Sequence, residues 1–134
     1  MEIVYAAVKA LIHNNGKFLV IEQKVQNTTY IDLPWWRVDY GESPYDTLKR
    51  EIKEEVSLDV DNIKPLGMRR FFRRDEAQVI CNTFLCTSNT RNIDTSNNPV
   101  ADENIVNHHR LSKEELLKLT NLPHESLSEI FVLL

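Results

Sequence analysis

The sequence predicts an α+β (mixed α/β) fold of paired strands and a few helices, and three observations predict it. Asn15-Gly16 separates two apolar runs, which is a strong signal for a β-hairpin. Residues 43–56 combine helix-start residues with apolar positions at helical spacing. Residues 68–87 resemble a second hairpin, with its turn at residues 73–77. The chain has 134 residues, enough for one core, so we expect a single domain over residues 1–134.

The remaining segments are assigned from apolar runs and turn residues. Residues 3–13 and 17–23 are the two strands of the first hairpin, and residues 105–111 are a further strand. Residues 25–34 are expected to form a polar connection that ends in a proline. The polar stretch 88–104 is expected to be a long loop, where functional groups often lie.

Two helices are predicted at the end of the chain. Ser112 and Glu115 have the spacing of a capping box, and Leu111 and Leu116 are placed as a hydrophobic staple. A second helix is expected to follow Pro123.

Composition narrows the classes of partner. The net charge of -4 predicts no broad basic field for nucleic acid. No stretch approaches the length of a transmembrane helix, and the first residues lack the basic region of a signal peptide, so we expect no membrane partner and a cytoplasmic location. Cys81 and Cys86 are five residues apart on a predicted strand, so they should face opposite sides as buried, reduced thiols.

The helix at residues 43–56 carries the most informative pattern. Ser43 is a favourable N-cap, Pro44 fits the first helical position, and Asp46 lies near the positive helix end. At about 100° per residue, one apolar stripe faces the core. The stripe consists of Tyr45, Leu48, Ile52 and Val56.

Three carboxylates of this helix, Glu51, Glu54 and Glu55, share one flank of the stripe, while the basic residues are expected on the other side. Carboxylates at this spacing repel one another unless a positive group lies among them. Arg50 is four residues before Glu54 and can pair with it. Mg²⁺ also prefers oxygen ligands of this kind. Spacing alone therefore leaves two interpretations open, a solvated acidic face and a divalent-cation site.

The wider run GESPYDTLKREIKEEVSL, residues 41–58, resembles the Nudix hydrolase box, G-x5-E-x7-R-E-U-x-E-E-x-G-U, in which U is a bulky aliphatic residue. The positions that match in register are Glu42, Arg50, Glu51, Ile52, Glu54, Glu55 and Leu58. The resemblance is specific within residues 33–58 and weaker over the rest of the chain. It implies a MutT-like Nudix fold, an α/β/α sandwich with a mixed sheet and a loop-helix-loop box.

The resemblance also implies a reaction and roles for single residues. Family members hydrolyse a nucleoside diphosphate linked to another group and use Mg²⁺ or Mn²⁺. The metal ligands implied by position are Glu51, Glu54 and Glu55, with Glu42 as a further ligand or support. Arg50 would orient the carboxylates, which makes Arg50, Glu51 and Glu54 the candidate catalytic residues. Many relatives carry another acid in the later loop, so Glu103, beside Asp102, is a candidate metal ligand or general base.

Two positions of the box depart from the family pattern. Its glycines fall on Trp36 and Ser57, and the chain has LPWW where relatives commonly have LPGG. Glycine permits a positive φ or a close backbone approach, and Ser57 tolerates a left-handed helix cap less well. Three interpretations of Trp36 stay open: core packing, stacking on a base, or obstruction that weakens turnover. We expect core packing for Trp35 and a place near the substrate for Trp36.

Four arginines, Arg69, Arg70, Arg73 and Arg74, bracket two phenylalanines in the second hairpin. They form either a solvated hairpin edge or a contact with substrate phosphate or base, for which Arg69 and Arg70 are the candidates. His108 and His109 are adjacent on a predicted strand and should point to opposite sides, in structural or surface roles.

These observations favour a Mg²⁺-dependent pyrophosphohydrolase with a small nucleotide substrate, and the chain length favours a nucleoside triphosphate. The alternative is a nucleotide-binding or regulatory domain that binds metal but turns over weakly because of Trp36. Dimers are common among the relatives, so a homodimer is an open expectation.

Overall fold

The computed structural model describes residues 2–73, 75–88 and 105–118, and this part of the chain contains seven strands and two helices. The elements are β1 (Val4–Asn14), β2 (Lys17–Val25), β3 (Thr28–Asp32), β4 (Trp35–Arg37), α1 (Pro44–Val56), β5 (Val60–Phe72), β6 (Gln78–Ser88), β7 (Ile105–Ser112) and α2 (Lys113–Leu117).

The strands form one mixed sheet in the order β3-β2-β1-β6-β5, with β4 paired to β1 and β7 paired to β2. β1 and β6 run parallel, from Val4 opposite Gln78 to His13 opposite Thr87. The other strand pairs are antiparallel. Helix α1 packs on one face of this sheet. The mixed α/β class predicted from the sequence is therefore confirmed.

Both hairpins that involve β2 use left-handed turns. Asn15 and Gly16 have φ of 52° and 77°, as the Asn-Gly signal predicts. Gln26 and Asn27 have φ of 52° and 70° and connect β2 to β3. The expectation that residues 25–34 form an irregular connection was wrong, because Thr28 pairs with Val25. The second turn lacks glycine, so the usual hairpin signal is absent from the sequence there. The strand that follows starts with polar residues, so it was not recognised as a strand.

The tryptophans lie in the short strand β4, which leads into the turn before α1. Trp36 is opposite Val8 and Trp35 is opposite Lys9 on β1. Since successive side chains of a strand alternate, the two indoles lie on opposite faces of the sheet. Trp36 joins the apolar core beneath α1, whereas Trp35 packs against the cluster on the other face.

The core beneath α1 is continuous from helix to sheet. Its buried members include Val8, Trp36, Leu48, Ile52 and Val56. Leu11 on β1 and Leu116 on α2 belong to a second buried cluster, on the opposite face. Cys81 and Cys86 are free, buried and in different clusters, as their spacing predicted.

Helix α1 begins and ends as its sequence predicts. The Ser43 side chain accepts a hydrogen bond from the Asp46 N–H, and Ser57 caps the C-terminus in the left-handed region with φ 59°. One member of the predicted stripe differs. Tyr45 is 43% exposed, and Thr47 is buried instead, because Tyr45 lies in the first turn at the rim, where its ring contacts Phe84.

The C-terminal predictions are confirmed as far as the described residues extend. Ser112 and Glu115 form the predicted capping box at the start of α2, which has five residues. Leu111 packs against the cluster that contains Leu116. The loop that contains Glu103 and the helix expected after Pro123 lie outside the described residues. Neither α1 nor α2 is long and apolar enough to cross a membrane.

Candidate active site

The Arg50 guanidinium lies among four carboxylates at the rim of α1. Its Nε donates to Glu42 Oε2 at 2.7 Å, and its Nη2 donates to Glu42 Oε1 at 3.0 Å and Asp39 Oδ2 at 2.9 Å. Its Nη1 donates to Glu51 Oε1 at 3.0 Å and Glu54 Oε2 at 3.1 Å. We call these five residues the Arg50 cluster. All five belong to the short segment that runs from the end of β4 through α1.

A tight turn brings the first two carboxylates to the guanidinium. The Glu42 N–H donates to the Asp39 carbonyl at 3.1 Å, and Gly41 adopts φ 83°. A side chain is unfavourable at this φ, which explains glycine at this position. The buried Thr47 hydroxyl also donates to Glu42 Oε1 at 2.7 Å, so Glu42 is held from two sides.

The arginine was expected on the side of the helix away from the carboxylates, apart from its pairing with Glu54. The structure confirms the pair with Glu54, but it shows that Arg50 also pairs with Asp39, Glu42 and Glu51. The long Arg50 side chain reaches across the helix, so it neutralises part of the charge that the carboxylates would otherwise concentrate.

The carboxylates of the cluster differ in acidity. Hydrogen bonds from Arg50, and then from Thr47, lower the pKa of Glu42 to about 2. Burial raises the pKa of Glu51 above its ordinary value, and the nearby Arg50 charge only partly offsets this effect. The hydrogen bond to Glu42 in turn raises the pKa of Arg50. Arg50 therefore stays charged, and Glu42 is held as an anion more firmly than Glu51.

The donor set suits a hard divalent cation, although the carboxylates are grouped around Arg50. Within the part of the chain that the structure describes, no three acidic, histidine or cysteine side chains converge on a metal position. Glu51 and Glu54 both bind Arg50 Nη1, at 3.0 and 3.1 Å, so their oxygens are separated by no more than about twice that distance. Such oxygens, half-exposed on one helix, are ligands that Mg²⁺ accepts. Glu55 is half-buried on the same helix and is not an observed partner of Arg50.

The two tryptophans differ in burial: Trp35 packs against a cluster, as expected, and the burial of Trp36 bears on the three interpretations left open for it. Trp36 is 8% exposed and packs in the core beneath α1, which favours core packing over stacking on a base. Its φ is not positive, so the β4 backbone does not require glycine there. Trp35 is half-buried on the other face, with its ring edge-on to Phe71 at a centroid distance of 5.5 Å.

The arginines of the second hairpin occupy different places. Arg69 is half-buried, and exposed Arg70 has its guanidinium 5.4 Å from the Phe72 ring. Arg73 lies 5.3 Å from the ring of Tyr5. Arg74 and Glu103, both considered from the sequence, lie outside the described residues. Among the described residues, the hydrogen bonds of the Arg50 cluster do not involve Arg69, Arg70 or Arg73.

The two histidines alternate on β7 as predicted. His109 is opposite Val20 and His108 is opposite Ile21. The His109 Nε2 lies 2.8 Å from Glu22 Oε2, and burial lowers the pKa of His108. Neither imidazole belongs to the Arg50 cluster, which supports the structural roles expected for them.

Sequence reasoning missed two members of this region and one buried ion pair. The turn between Asp39 and Glu42 brings Asp39 to the cluster. The first turn of α1 brings Thr47 to Glu42. The Lys9 Nζ lies 3.1 Å from Asp32 Oδ1, and both side chains are almost completely buried. A lone lysine within the apolar run of β1 was the available signal for this pair.

Comparison with known proteins identifies the architecture. The NUDIX domain model matches residues 4–129. The MutT NUDIX hydrolase from Burkholderia pseudomallei is 17% identical with a TM-score of 0.78, and the match covers 97% of this chain and 98% of that protein. The MutT protein from Methanosarcina mazei Go1 is 23% identical with a TM-score of 0.76, covering 98% and 92%.

A third similar structure was solved with a ligand. The NUDIX domain of Shewanella oneidensis NrtR, complexed with ADP ribose, is 16% identical with a TM-score of 0.73, and the match covers 98% of this chain and 86% of that one. At these identities the likeness shows the fold. A search of curated proteins finds no match.

Proposed function

Because the chain belongs to the NUDIX domain family, whose members hydrolyse nucleoside diphosphate derivatives, we propose that it cleaves the pyrophosphate linkage of a nucleoside triphosphate with the help of Mg²⁺. The observation that carries this proposal is the Arg50 cluster. It gathers the box residues Glu42, Arg50, Glu51 and Glu54 around one partly exposed point on α1.

The residues of the box have distinct tasks in this proposal. Glu51, Glu54 and Glu55 would hold the cation, with Glu42 as a further ligand or support. The bound cation would neutralise the phosphates and favour ionisation of the attacking water. Arg50 keeps Glu51 and Glu54 close together against their mutual repulsion. Thr47 and Arg50 fix the Glu42 carboxylate at 2.7 Å each.

A carboxylate must also receive the proton of the attacking water. Glu51 and Glu54 are the candidates on α1, because both oxygens lie at the exposed rim rather than in the core. Glu103, in the loop before β7, is the other candidate general base. Separate Glu→Gln variants at the three positions would identify the base by the largest fall in kcat.

The position of Trp36 supports an enzyme over the weakly active alternative. That alternative rested on a bulky side chain where the family has glycine. The indole instead lies in the same buried cluster as Leu48 and Ile52, and β4 keeps ordinary strand pairing at this point. The position of the indole therefore does not support the obstruction on which that alternative depends.

A substrate panel with and without Mg²⁺ tests the proposal. It should include nucleoside triphosphates, nucleoside diphosphate sugars and dinucleoside polyphosphates, with release of phosphate or pyrophosphate as the measurement. We expect Mg²⁺-dependent turnover that a Glu51/Glu54/Glu55 triple Gln variant loses. Glu114→Gln on α2, an exposed glutamate outside the cluster, is the matched control. Equal turnover by the triple variant would place the chemistry elsewhere.

Three further expectations accompany the proposed function. We propose one domain over residues 1–134, supported by the match to residues 4–129. A cytoplasmic location agrees with two free cysteines buried on opposite faces. A homodimer stays a prediction, which sedimentation equilibrium would test.

A further inference from the structure

Three side chains from segments far apart in the chain stack at one end of the sheet. The Arg37 guanidinium carbon lies 4.6 Å from the ring centroid of Tyr5, and that of Arg73 lies 5.3 Å from the same centroid. Both arginines are exposed and Tyr5 is half-buried. We call these residues the Arg-Tyr-Arg stack. The two guanidinium carbons are separated by no more than about twice the longer of these distances.

Strand pairing places this stack at the beginning of β1, on the sheet face opposite to α1, and the chain that leaves β4 connects it to the Arg50 cluster. Arg37 is opposite Ala7, and the Val38 N–H donates to the Ala6 carbonyl at 2.8 Å. The chain leaving β4 therefore runs alongside the beginning of β1, where Tyr5 lies. The next residue, Asp39, binds Arg50 at 2.9 Å. Since consecutive Cα atoms are about 3.8 Å apart, the Cα atoms of Arg37 and Asp39 are separated by no more than about 7.6 Å.

The third member reaches this end of the sheet through the β5–β6 turn. The Arg73 N–H donates to the Ala77 carbonyl at 2.9 Å, which closes the turn. The pairing of Val4 with Gln78 then sets that turn against the start of β1. Arg37 and Arg73 are thus brought to one tyrosine by pairings between distant segments.

The stack has a positive charge that the protein only partly balances. Within residues 2–73, 75–88 and 105–118, Arg37 forms no ion pair with an acid. Arg73 has one partner, Asp75 Oδ2 at 3.1 Å, and both side chains are about half exposed, so that pair stabilises weakly. Two guanidinium groups held on one ring repel each other unless an anion joins them. Guanidinium also matches the geometry of phosphate through paired hydrogen bonds.

The neighbouring acids indicate where the anion would sit. A cleft of about 750 Å³ next to Arg73 is lined in part by Glu2, Asp75 and Glu76. These carboxylates repel phosphate, so the favourable position is on the Arg37 side of the tyrosine. Arg37 is also the member of the stack that lies only two residues before Asp39 of the Arg50 cluster.

We propose that the Arg-Tyr-Arg stack binds a phosphate group of the substrate beyond the two phosphates whose linkage is hydrolysed. The proposal rests on the proposed function, because it assumes that the linkage is held at the Arg50 cluster. It makes the stack a determinant of specificity for nucleoside triphosphates over nucleoside diphosphate sugars, which carry no third phosphate.

The first test measures binding without catalysis. Inorganic tripolyphosphate is titrated into the protein by calorimetry in the presence of a chelator. An Arg37→Gln/Arg73→Gln variant should bind about tenfold more weakly or worse, because charge-assisted hydrogen bonds are lost. Lys24→Gln is the control, since Lys24 is an exposed basic residue on β2 that lies outside both the stack and the Arg50 cluster. Equal affinities in the wild type and the double variant would overturn the proposal.

The second test connects the site to the substrate. The double variant should raise KM about tenfold for a nucleoside triphosphate and leave KM for a nucleoside diphosphate sugar unchanged. Tripolyphosphate should compete with the triphosphate. Binding of tripolyphosphate without competition would show a site for a free anion and overturn the assignment to substrate.

The two tests separate this proposal from the proposed function. The Glu51/Glu54/Glu55 triple Gln variant should still bind tripolyphosphate without metal, since the stack does not use those carboxylates. A protein that binds tripolyphosphate through Arg37 and Arg73 but shows no Mg²⁺-dependent turnover would contradict the proposed function. The reverse result, turnover without such binding, would contradict the Arg-Tyr-Arg stack alone.

Discussion

The two faces of the sheet treat charge in opposite ways. On the face toward α1, Val8 and Trp36 are buried among apolar groups, and charge is kept at the rim, where the Arg50 side chain is 34% exposed. On the other face, Lys9 and Asp32 form an ion pair with side chains 1% and 4% exposed. Val8 and Lys9 are neighbours in sequence, so the difference arises from strand alternation alone.

The buried Lys9–Asp32 pair and the exposed Arg50 cluster differ in their access to water, and this difference separates a role in stability from a role in binding. Lys9 and Asp32 are buried at a separation of 3.1 Å, where removal of either partner leaves a charge away from water. The Arg50 cluster sets four carboxylates against one guanidinium in partial contact with solvent. It therefore keeps unbalanced negative charge that a divalent cation can use. The buried pair supports the fold, and the exposed cluster is suited to bind.

The largest effect is expected at the buried pair. Lys9→Met should lower the free energy of unfolding by about 3–5 kcal/mol, because it leaves the Asp32 charge buried without its lysine. Urea unfolding measures the loss, with Lys49→Met on the exposed side of α1 as the control. A second change, Asp32→Asn, should recover part of the stability. A loss below about 1 kcal/mol would mean that water reaches the pair.

The tryptophans test the two faces directly. Trp36→Ala should lower the free energy of unfolding by about 3 kcal/mol. This is near the lower end for such truncations, because α1 can relax into the space. Trp35→Ala should lower the free energy of unfolding by clearly less, since Trp35 is only half-buried. Melting curves of the two variants give the comparison. If the order were reversed, or if Trp36→Ala mainly raised KM, core packing would be the wrong interpretation of Trp36.

Arg50 should matter more for activity than for stability. Arg50→Ala should lower Mg²⁺ affinity and turnover together by about 10–100-fold, the range for losing a group that orients ligands. The free energy of unfolding should fall by about 1 kcal/mol or less, because the ion pairs are partly exposed. The Mg²⁺-dependent shift in Tm and kcat are measured on one preparation. A rise in substrate KM with unchanged metal affinity would show that Arg50 contacts the substrate.

The smallest effect is expected at the end of α1. Ser57 has φ 59°, and glycine adopts this conformation without the strain of a side chain. Ser57→Gly should therefore stabilise the protein by about 1 kcal/mol. Ser57→Ala, which keeps the strain, serves as the control, and thermal unfolding compares the two. No gain for glycine over alanine would mean that strain at Ser57 is relieved by its surroundings.

Local chemistry made several elements predictable. The Asn15-Gly16 turn and the Ser112–Glu115 capping box depend on residues within a few positions of each other, and both are present. The start of α1 at Ser43 was predictable for the same reason. The acidic flank of α1 followed from helical periodicity, and its identity as a Nudix box followed from residues 41–58 as a pattern.

The sequence by itself thus determined the first hairpin, the capped helices, the acidic flank and the family to which the chain belongs. Only the tertiary structure decided the faces of Trp35 and Trp36, the pairing of Lys9 with Asp32 and the approach of Arg37 and Arg73 to Tyr5. Each of these depends on which strand pairs with which, and in what register. A shift of one residue moves every side chain of a strand to the other face. Such pairings join segments far apart in the chain, so no local pattern specifies them.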